Sequence, residues 1–427
     1  MQKTKVALKE FWTFRNESRK KFTHGLHKYP ARMHPEIAKN IIAKYAENKK
    51  TVIIDPFVGS GGVLIESMLK KKNSIGFDVN PFAVLLAKVK TTIINPKRAE
   101  FEYQKILEKS KKDYQRDKFY PKSVPTDFDV EFWNKPSVIK KLSILKKHIF
   151  KSKDRKMSNF LKICFSLTTR HASNQRRHEF KHWRLEKEQL KKYRPDVFEI
   201  FSNICETNCN LMANFKTTMR GNKTKTIVKF GNAVNLSDNF NKINSEFLDD
   251  AKRHLVITSP PYGDHSTTVA YGEFSSQPGL WLDLPVNRLK EVDTVSLGGQ
   301  RYDVEKSDLE SPKLTSQLRT ISKIDTKRAE DVYAFFFDFD KCLEELSKIL
   351  KNKSHLCFVV GNRTVKRIPI HTDKILVQLA LKYGFKHIAT YPRMIPTKVL
   401  PFKNAPENIS NKAGKMMNEE RIVIFRN

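Results

Sequence analysis

The chain has 427 residues, 39% hydrophobic and 30% charged, a composition that suits roughly two or three globular domains and excludes a disordered or fibrous chain. No apolar run approaches the roughly 18 residues of a membrane span, and the opening MQKTKVALKEFWTF lacks the apolar core of a secretory signal, so a cytoplasmic protein without membrane contact is expected. The net charge of +34, from 80 basic and 46 acidic residues, predicts a polyanionic partner, nucleic acid before membrane surface.

Short β-type runs alternate with helical segments along the chain. TVIID (51–55) and SIGFD (74–78) read as buried parallel strands, with GGVLIESMLKKK between them as a helix. The interval 91–224 differs. Its patterns are mostly helical, and it carries twice as many basic as acidic side chains. Strands resume at TIVKFG (226–231), HLVITS (254–259), HLCFVVG (355–361), HIATYPRMI (387–395) and RIVIFRN (421–427). Residues 284–330 are polar and weakly periodic and are expected to form a loop or small subdomain. VYAFFFDFDKCLEELSKILKN and TDKILVQLALKYGF are amphipathic helices, the second ended by Gly384. The alternation predicts an α/β fold with a doubly wound, mostly parallel seven-stranded sheet and a largely helical inserted domain. The expected division is 1–90 for the first half of the catalytic domain, 91–224 for the basic insertion, 225–283 for its continuation, 284–330 for a second insertion and 331–427 for the remainder.

The five cysteines, Cys164, Cys205, Cys209, Cys342 and Cys357, are sparse and odd in number. No second Cys/His pair accompanies Cys205 and Cys209, so reduced thiols and no metal site are expected.

DPFVGSGG (55–62) follows a strand and opens a helix. Its glycines allow a tight turn and close approach of a ligand, and the helix start offers free N–H groups. A second acid, Asp78, ends the next strand, where a carboxylate typically accepts from ribose hydroxyls. The Asp55 carboxylate ahead of the turn would repel a pyrophosphate and welcome a cationic amine. That favours S-adenosyl-L-methionine, which carries an ammonium, a sulfonium and no phosphate. Asn232, in the turn after the third strand, is a candidate for the adenine amine.

TSPPY (258–262) leaves the fourth strand at the carboxyl edge of the sheet, where such folds bind ligands. Two prolines make the corner rigid. The Pro260 carbonyl and the Ser259 side chain could accept both protons of an amino group and orient its lone pair, with Tyr262 offering a face for stacking. An exocyclic amine in a duplex is reachable only after the nucleotide is flipped out.

DPFVGSGG, GFDVNPFA and TSPPYGD, in that order, resemble the amino-methyltransferases of DNA, the N4-cytosine/N6-adenine class, on a class I S-adenosylmethionine-dependent methyltransferase fold. HGLHKYPARMHPEI (24–37) is similar to the cofactor-binding motif ahead of the glycine turn in that class, and EFKHWR and TTVAYGEFS resemble its cytosine-N4 members. The resemblance implies catalysis at Ser259, Pro260, Pro261 and Tyr262. It implies a cofactor site formed by Tyr29, Pro30, Ala31, Asp55, Pro56, Phe57, Gly59, Ser60, Gly61, Asp78, Val79, Asn80, Asn232 and Ser259. Departures exist: Asn232 stands where the family often has Asp, and GSGG replaces GSGT. The SPPY form leans to cytosine N4, with adenine N6 as the alternative. An RNA guanine-N2 methyltransferase and a DNA-binding protein on an inactive methylase fold are the further alternatives. A C5-cytosine mechanism would require a Pro-Cys pair, which the chain lacks.

The basic insertion between the two motifs is the natural target-recognition region for double-stranded DNA. Its run RHASNQRRHEFKHWR interleaves cations with aromatic rings, and Arg170, Arg176, Arg177, Lys181 and Arg184 are the expected DNA contacts. His171, His178 and His265 are weaker candidates for a base, since each reads more readily as a loop or stacking residue. The sequence leaves open whether a cognate restriction endonuclease is a partner, and it leaves the oligomeric state open.

Overall fold

A computed structural model describes residues 10–177, 179–263, 269–302, 309–395, 403–404, 414–415 and 419–427. His178, His265 and the start of TTVAYGEFS lie outside the described residues.

Seven strands form the central sheet: β1 (Thr51–Asp55), β2 (Ser74–Asp78), β3 (Thr226–Phe230), β4 (Arg253–Thr258), β5 (His355–Gly361), β6 (Lys386–Met394) and β7 (Glu419–Arg426). Their spatial order is β3-β2-β1-β4-β5-β7-β6. All neighbours run parallel except β7, which is antiparallel to both β5 and β6. This is the doubly wound sheet of the class I methyltransferase fold. The order reverses between β1 and β4, so a crevice opens at their carboxyl ends.

Alternation along the strands explains why both faces are covered. Val52, Ile54, Val256, Phe358 and Val423 pack on one side, and Ile53, Leu255, Ile257, Val359 and Ile422 on the other. Helices α1 (Pro35–Tyr45), α2 (Gly62–Leu69) and α3 (Pro81–Lys90) belong to the first half of the chain. Pro35 and Pro81 each open their helix behind a capping side chain, His34 and Asn80.

The interval 91–224 folds into α4 (Pro96–Gln115), α5 (Val130–Trp133), α6 (Pro136–Ile149), α7 (Arg155–Ala172), α8 (Lys187–Lys192) and α9 (Val197–Thr218). Its core is continuous with α3, through Phe82 and Leu86. After β3 come α10 (Leu236–Asn241) and α11 (Glu246–Asp249), and after β4 comes α12 (Tyr271–Trp281), whose Phe274 and Trp281 join the same core.

Residues 284–330, expected to form a loop or small subdomain, are not structureless. They carry α13 (Val286–Val295) and α14 (Pro312–Ser322). Ser311 accepts from Leu314 N at 3.2 Å and Pro312 occupies the first turn, so local capping starts a helix that the weak periodicity hid. Helices α15 (Thr326–Ile349) and α16 (Thr372–Lys382) complete the cover, with Gly384 at φ +80° ending α16.

Candidate active site

The glycine turn is fixed by backbone geometry and by Asp78. Gly59 and Gly61 hold φ of +47° and +82°, which L side chains rarely adopt. A Cβ on Gly61 would sit 3.0 Å from the Ala87 Cα, so the turn and α3 touch only because this residue is bare. Val58 N donates to the Phe77 carbonyl at 2.8 Å, tying the turn to the end of β2. Asp78 accepts from Gly59 N through Oδ2 and from Asn80 N through Oδ1, both at 2.8 Å. This carboxyl organises the turn as well as edging the crevice.

Asn80 links three segments. Its side-chain oxygen caps α3 at Phe82 N, and its amide donates to the Tyr29 hydroxyl at 3.2 Å and to Ser275 Oγ at 2.7 Å. Tyr29 is buried and stacks on Tyr271, centroids 5.9 Å apart. The segment 24–37 is clamped nearby. His24 contacts Glu66 at 2.8 Å, and the buried Lys90 Nζ donates to the His24 and His27 carbonyls. Within it Pro30 is buried, while Ala31 is exposed in a left-handed conformation, φ +47°. Phe57, Gly59 and Val79 are partly exposed along the turn, whereas Pro56 and Ser60 are buried.

Asp55 is 3% exposed and ends β1. Its Oδ1 accepts from Thr258 Oγ1 at 2.6 Å and from Phe57 N at 3.2 Å. Burial pushes Asp55 up to about 7, against the pull of those two donors, and pushes Asp78 up to about 6. No cation of the described residues contributes to holding either carboxyl charged. Two acids, Asp55 buried and Asp78 partly exposed, with no basic partner among the described residues, at a bare glycine turn in a protein of net charge +34, form a site suited to a ligand that brings its own positive charge and hydroxyl donors.

The serine–diproline corner stands across the same crevice. Thr258 is the last residue of β4, beside β1, so its bond to Asp55 joins the two corners directly. Ser259 Oγ donates toward the Tyr262 hydroxyl and the Val359 carbonyl, both at 3.2 Å. Tyr262 in turn donates to Glu420 Oε1 at 2.8 Å. Glu420 pairs through its other oxygen with Arg393, its cross-strand partner, and Arg393 Nε donates to the Trp12 carbonyl at 3.0 Å. Thr258, Glu420 and Arg393 were not singled out from the sequence. Thr258 lay inside the quoted motif, but Glu420 is 158 positions from Tyr262 and only the sheet brings it near.

Two expectations need correction. Arg170 is not an exposed DNA contact. It is 5% exposed, lies over the Phe274 ring at 4.7 Å and donates to the Glu179 carbonyl. The pattern held a signal, since Ile163, Leu167 and Arg170 fall on one helical stripe of α7. Asn232, the candidate for the adenine amine, uses its oxygen to cap Val234 N at 3.2 Å and its amide to reach the Val295 carbonyl at 3.0 Å. Its side chain serves the turn and α13.

Arg176, Arg177, Lys181 and Arg184 are exposed. They sit on a short hairpin in which Gln175 bridges Arg184 and Arg176 N donates to the Trp183 carbonyl at 2.8 Å. Trp183 and Phe180 are exposed on the same hairpin, which reaches α12 through His182 N and Glu273 at 2.6 Å. His171 lies in the last turn of α7, where its carbonyl accepts from the Tyr193 hydroxyl at 2.5 Å.

The sheet order, with an acid-led glycine turn and a serine–diproline corner at its switch point, is that of a class I methyltransferase. Comparison with known proteins agrees. A family model described as DNA methylase, of the N6/N4 type, matches residues 1–89. The Type II methyltransferase M.MvaI of Kocuria varians is 35% identical over 437 residues, covering 98% of this chain and 94% of that protein. The Type II methyltransferase M.MjaII of Methanocaldococcus jannaschii is 39% identical over 74 residues, 17% of this chain and 14% of that one. Among solved structures, the rRNA methyltransferase aviRa of Streptomyces viridochromogenes aligns over 94% of this chain and 88% of that one at 11% identity and a TM-score of 0.31, too loose a superposition to carry weight. The chain belongs to the N4/N6 DNA methyltransferase family.

Proposed function

We propose that the protein transfers the methyl group of S-adenosyl-L-methionine to the N4 amine of a cytosine flipped out of double-stranded DNA, as the modification partner of a restriction endonuclease in the cytoplasm. The observation that carries this reading is the 2.6 Å bond between Thr258 and Asp55, because it joins the ends of the two strands that lead into the serine–diproline corner and the glycine turn. When bound, the cofactor supplies an electrophilic methyl on a sulfonium.

The chain's own residues bind, orient and polarise. Asp55 would hold the ammonium of the methionine portion, and Asp78, already pinned by two backbone N–H groups, would keep lone pairs for ribose hydroxyls. Ser259 and the Pro260 carbonyl accept the two amine protons and so aim the nitrogen lone pair, with no covalent intermediate. Tyr262 borders the base. All five cysteines are buried, so no thiol is presented for attack at a ring carbon. The exposed cations Arg176, Arg177, Lys181 and Arg184 suit phosphate contacts. Among the described residues no helix is long and apolar enough to cross a membrane.

The SPPY form of the corner supports cytosine over adenine. Mass spectrometry of nucleosides from DNA treated with the protein and labelled cofactor tests the assignment. Label on 4-methylcytosine is expected. Label on adenine would overturn the base, and label only in added RNA would overturn the substrate class.

A further inference from the structure

Among the hydrogen bonds at the catalytic corner, direction is as informative as distance. We propose that Glu420 is a positioning residue that sets the polarity of the chain Ser259–Tyr262–Glu420, so that Ser259 presents lone pairs to the target base and the corner selects an amino group over a carbonyl. The inference rests on the functional reading above and concerns how that same site chooses its substrate.

The argument begins at the far end. Glu420 is 8% exposed on β7, and Arg393 beside it on β6 is 1% exposed. The guanidinium has no proton acceptor role and the carboxylate facing it has only lone pairs to offer. Glu420 Oε1 therefore accepts from Tyr262, at 2.8 Å. Burial and the neighbouring Glu420 carboxylate hold the Tyr262 phenol well above its ordinary value, so its single proton stays in place and points at Glu420.

With that proton engaged, Tyr262 can meet Ser259 only as an acceptor. The Ser259 hydroxyl lies 3.2 Å from the Tyr262 oxygen and 3.2 Å from the Val359 carbonyl. Both neighbours accept, so the serine's one proton is drawn into the protein and its lone pairs are left for the crevice. An N–H of a base amine meets those lone pairs favourably. A carbonyl oxygen at the same position meets them as acceptor against acceptor and is refused. Were Tyr262 to donate to Ser259, it would occupy one of the serine lone pairs and leave the Val359 carbonyl alone to hold the serine proton inward, so the preference would weaken.

Sequence gave no route to this residue. Glu420 lies just ahead of the predicted strand RIVIFRN, and β7 starts at Glu419, which brings Glu420 into register with Arg393.

The test uses binding as well as turnover. Duplexes carrying cytosine or uracil at the methylated position, mapped first by sequencing the modified DNA, are titrated against the full-length protein in the presence of S-adenosylhomocysteine. The cost of extruding each base is common to all variants and cancels when their preference ratios are compared. Glu420→Gln offers Tyr262 an amide that can donate, which lets the chain reverse. Tyr262→Phe cuts the chain while leaving the Glu420–Arg393 pair intact. In both variants the cytosine-over-uracil ratio is expected to fall about tenfold relative to wild type, with affinity for S-adenosylhomocysteine unchanged, and the double variant is expected to fall no further. If Glu420→Gln does not fold, Tyr262→Phe decides by the same criterion. A wild type that methylates DNA and discriminates, with variants that keep its ratio, would overturn the inference alone. A wild type that methylates no amine in DNA would overturn the functional reading and this inference with it.

Discussion

Thr258 Oγ1 donates to Asp55 Oδ1 at 2.6 Å, joining the last residues of two neighbouring parallel strands. Both are buried, so the bond is made away from solvent and fixes the spacing of the two corners. Thr258→Val keeps the shape and removes the donor. It is expected to cost about 1.5–3 kcal/mol of stability at neutral pH, read by denaturant unfolding. Because the Thr258 donation lowers the Asp55 pKa, the variant should also bind cofactor more weakly near neutral pH. Unchanged stability and affinity would remove this bond from the account.

Cofactor binding should depend on pH with a defined sign. Asp55 sits at about 7 and Asp78 at about 6 in the free protein, both raised by burial. A raised carboxyl holds its proton more tightly in the folded state. The stability it contributes is full below the ordinary carboxyl range and is lost as pH rises through about 6 to 7. A cationic ligand prefers the ionised carboxyl. Affinity is therefore expected to rise between about pH 5.5 and pH 7.5, by up to tenfold per unit while one group titrates. Below pH 7 binding should release protons, which calorimetry in two buffers of different ionisation enthalpy would detect. A flat profile would mean that neither acid meets the ligand's charge.

The cations of the basic insertion should separate into two kinds. Arg170, buried over Phe274, is expected to be needed for folding: Arg170→Ala should lower the melting temperature. Arg177 and Lys181 are exposed, and neutralising each should leave melting unchanged while reducing the slope of log binding constant against log salt by about one. The reverse pattern would place the DNA elsewhere.

Gly61 tests the turn. With φ at +82° and Ala87 Cα 3.0 Å from where a Cβ would stand, Gly61→Ala is expected to cost more than about 1 kcal/mol and to weaken cofactor binding. A variant as stable as wild type would show that the turn relaxes freely.

Much of this arrangement was legible in the sequence, and the reason is physical. TVIID and SIGFD are continuous buried runs flanked by turn residues, and both strands match those spans. The glycine turn and the diproline corner are legible because only certain residues tolerate such backbone. Glu420 and Arg393 were not, because their roles arise from the pairing of β7 with β6 and from a contact with Tyr262 far away in the chain. Charge composition could point to DNA, but it could not tell Arg170, on an inward helix stripe, from Arg177 on an exposed hairpin. Asn232 illustrates a third limit: a polar residue in a turn can serve the turn itself.

The central claim is that the serine–diproline corner orients an amine against the methyl donor held at the glycine turn. Ser259→Ala tests it most directly, with single-turnover methylation and cofactor affinity measured on the same preparation. The expected result is a rate lower by about a hundredfold or more, with cofactor affinity nearly intact. Equal loss of both, or a rate that stays at wild-type level, would contradict it.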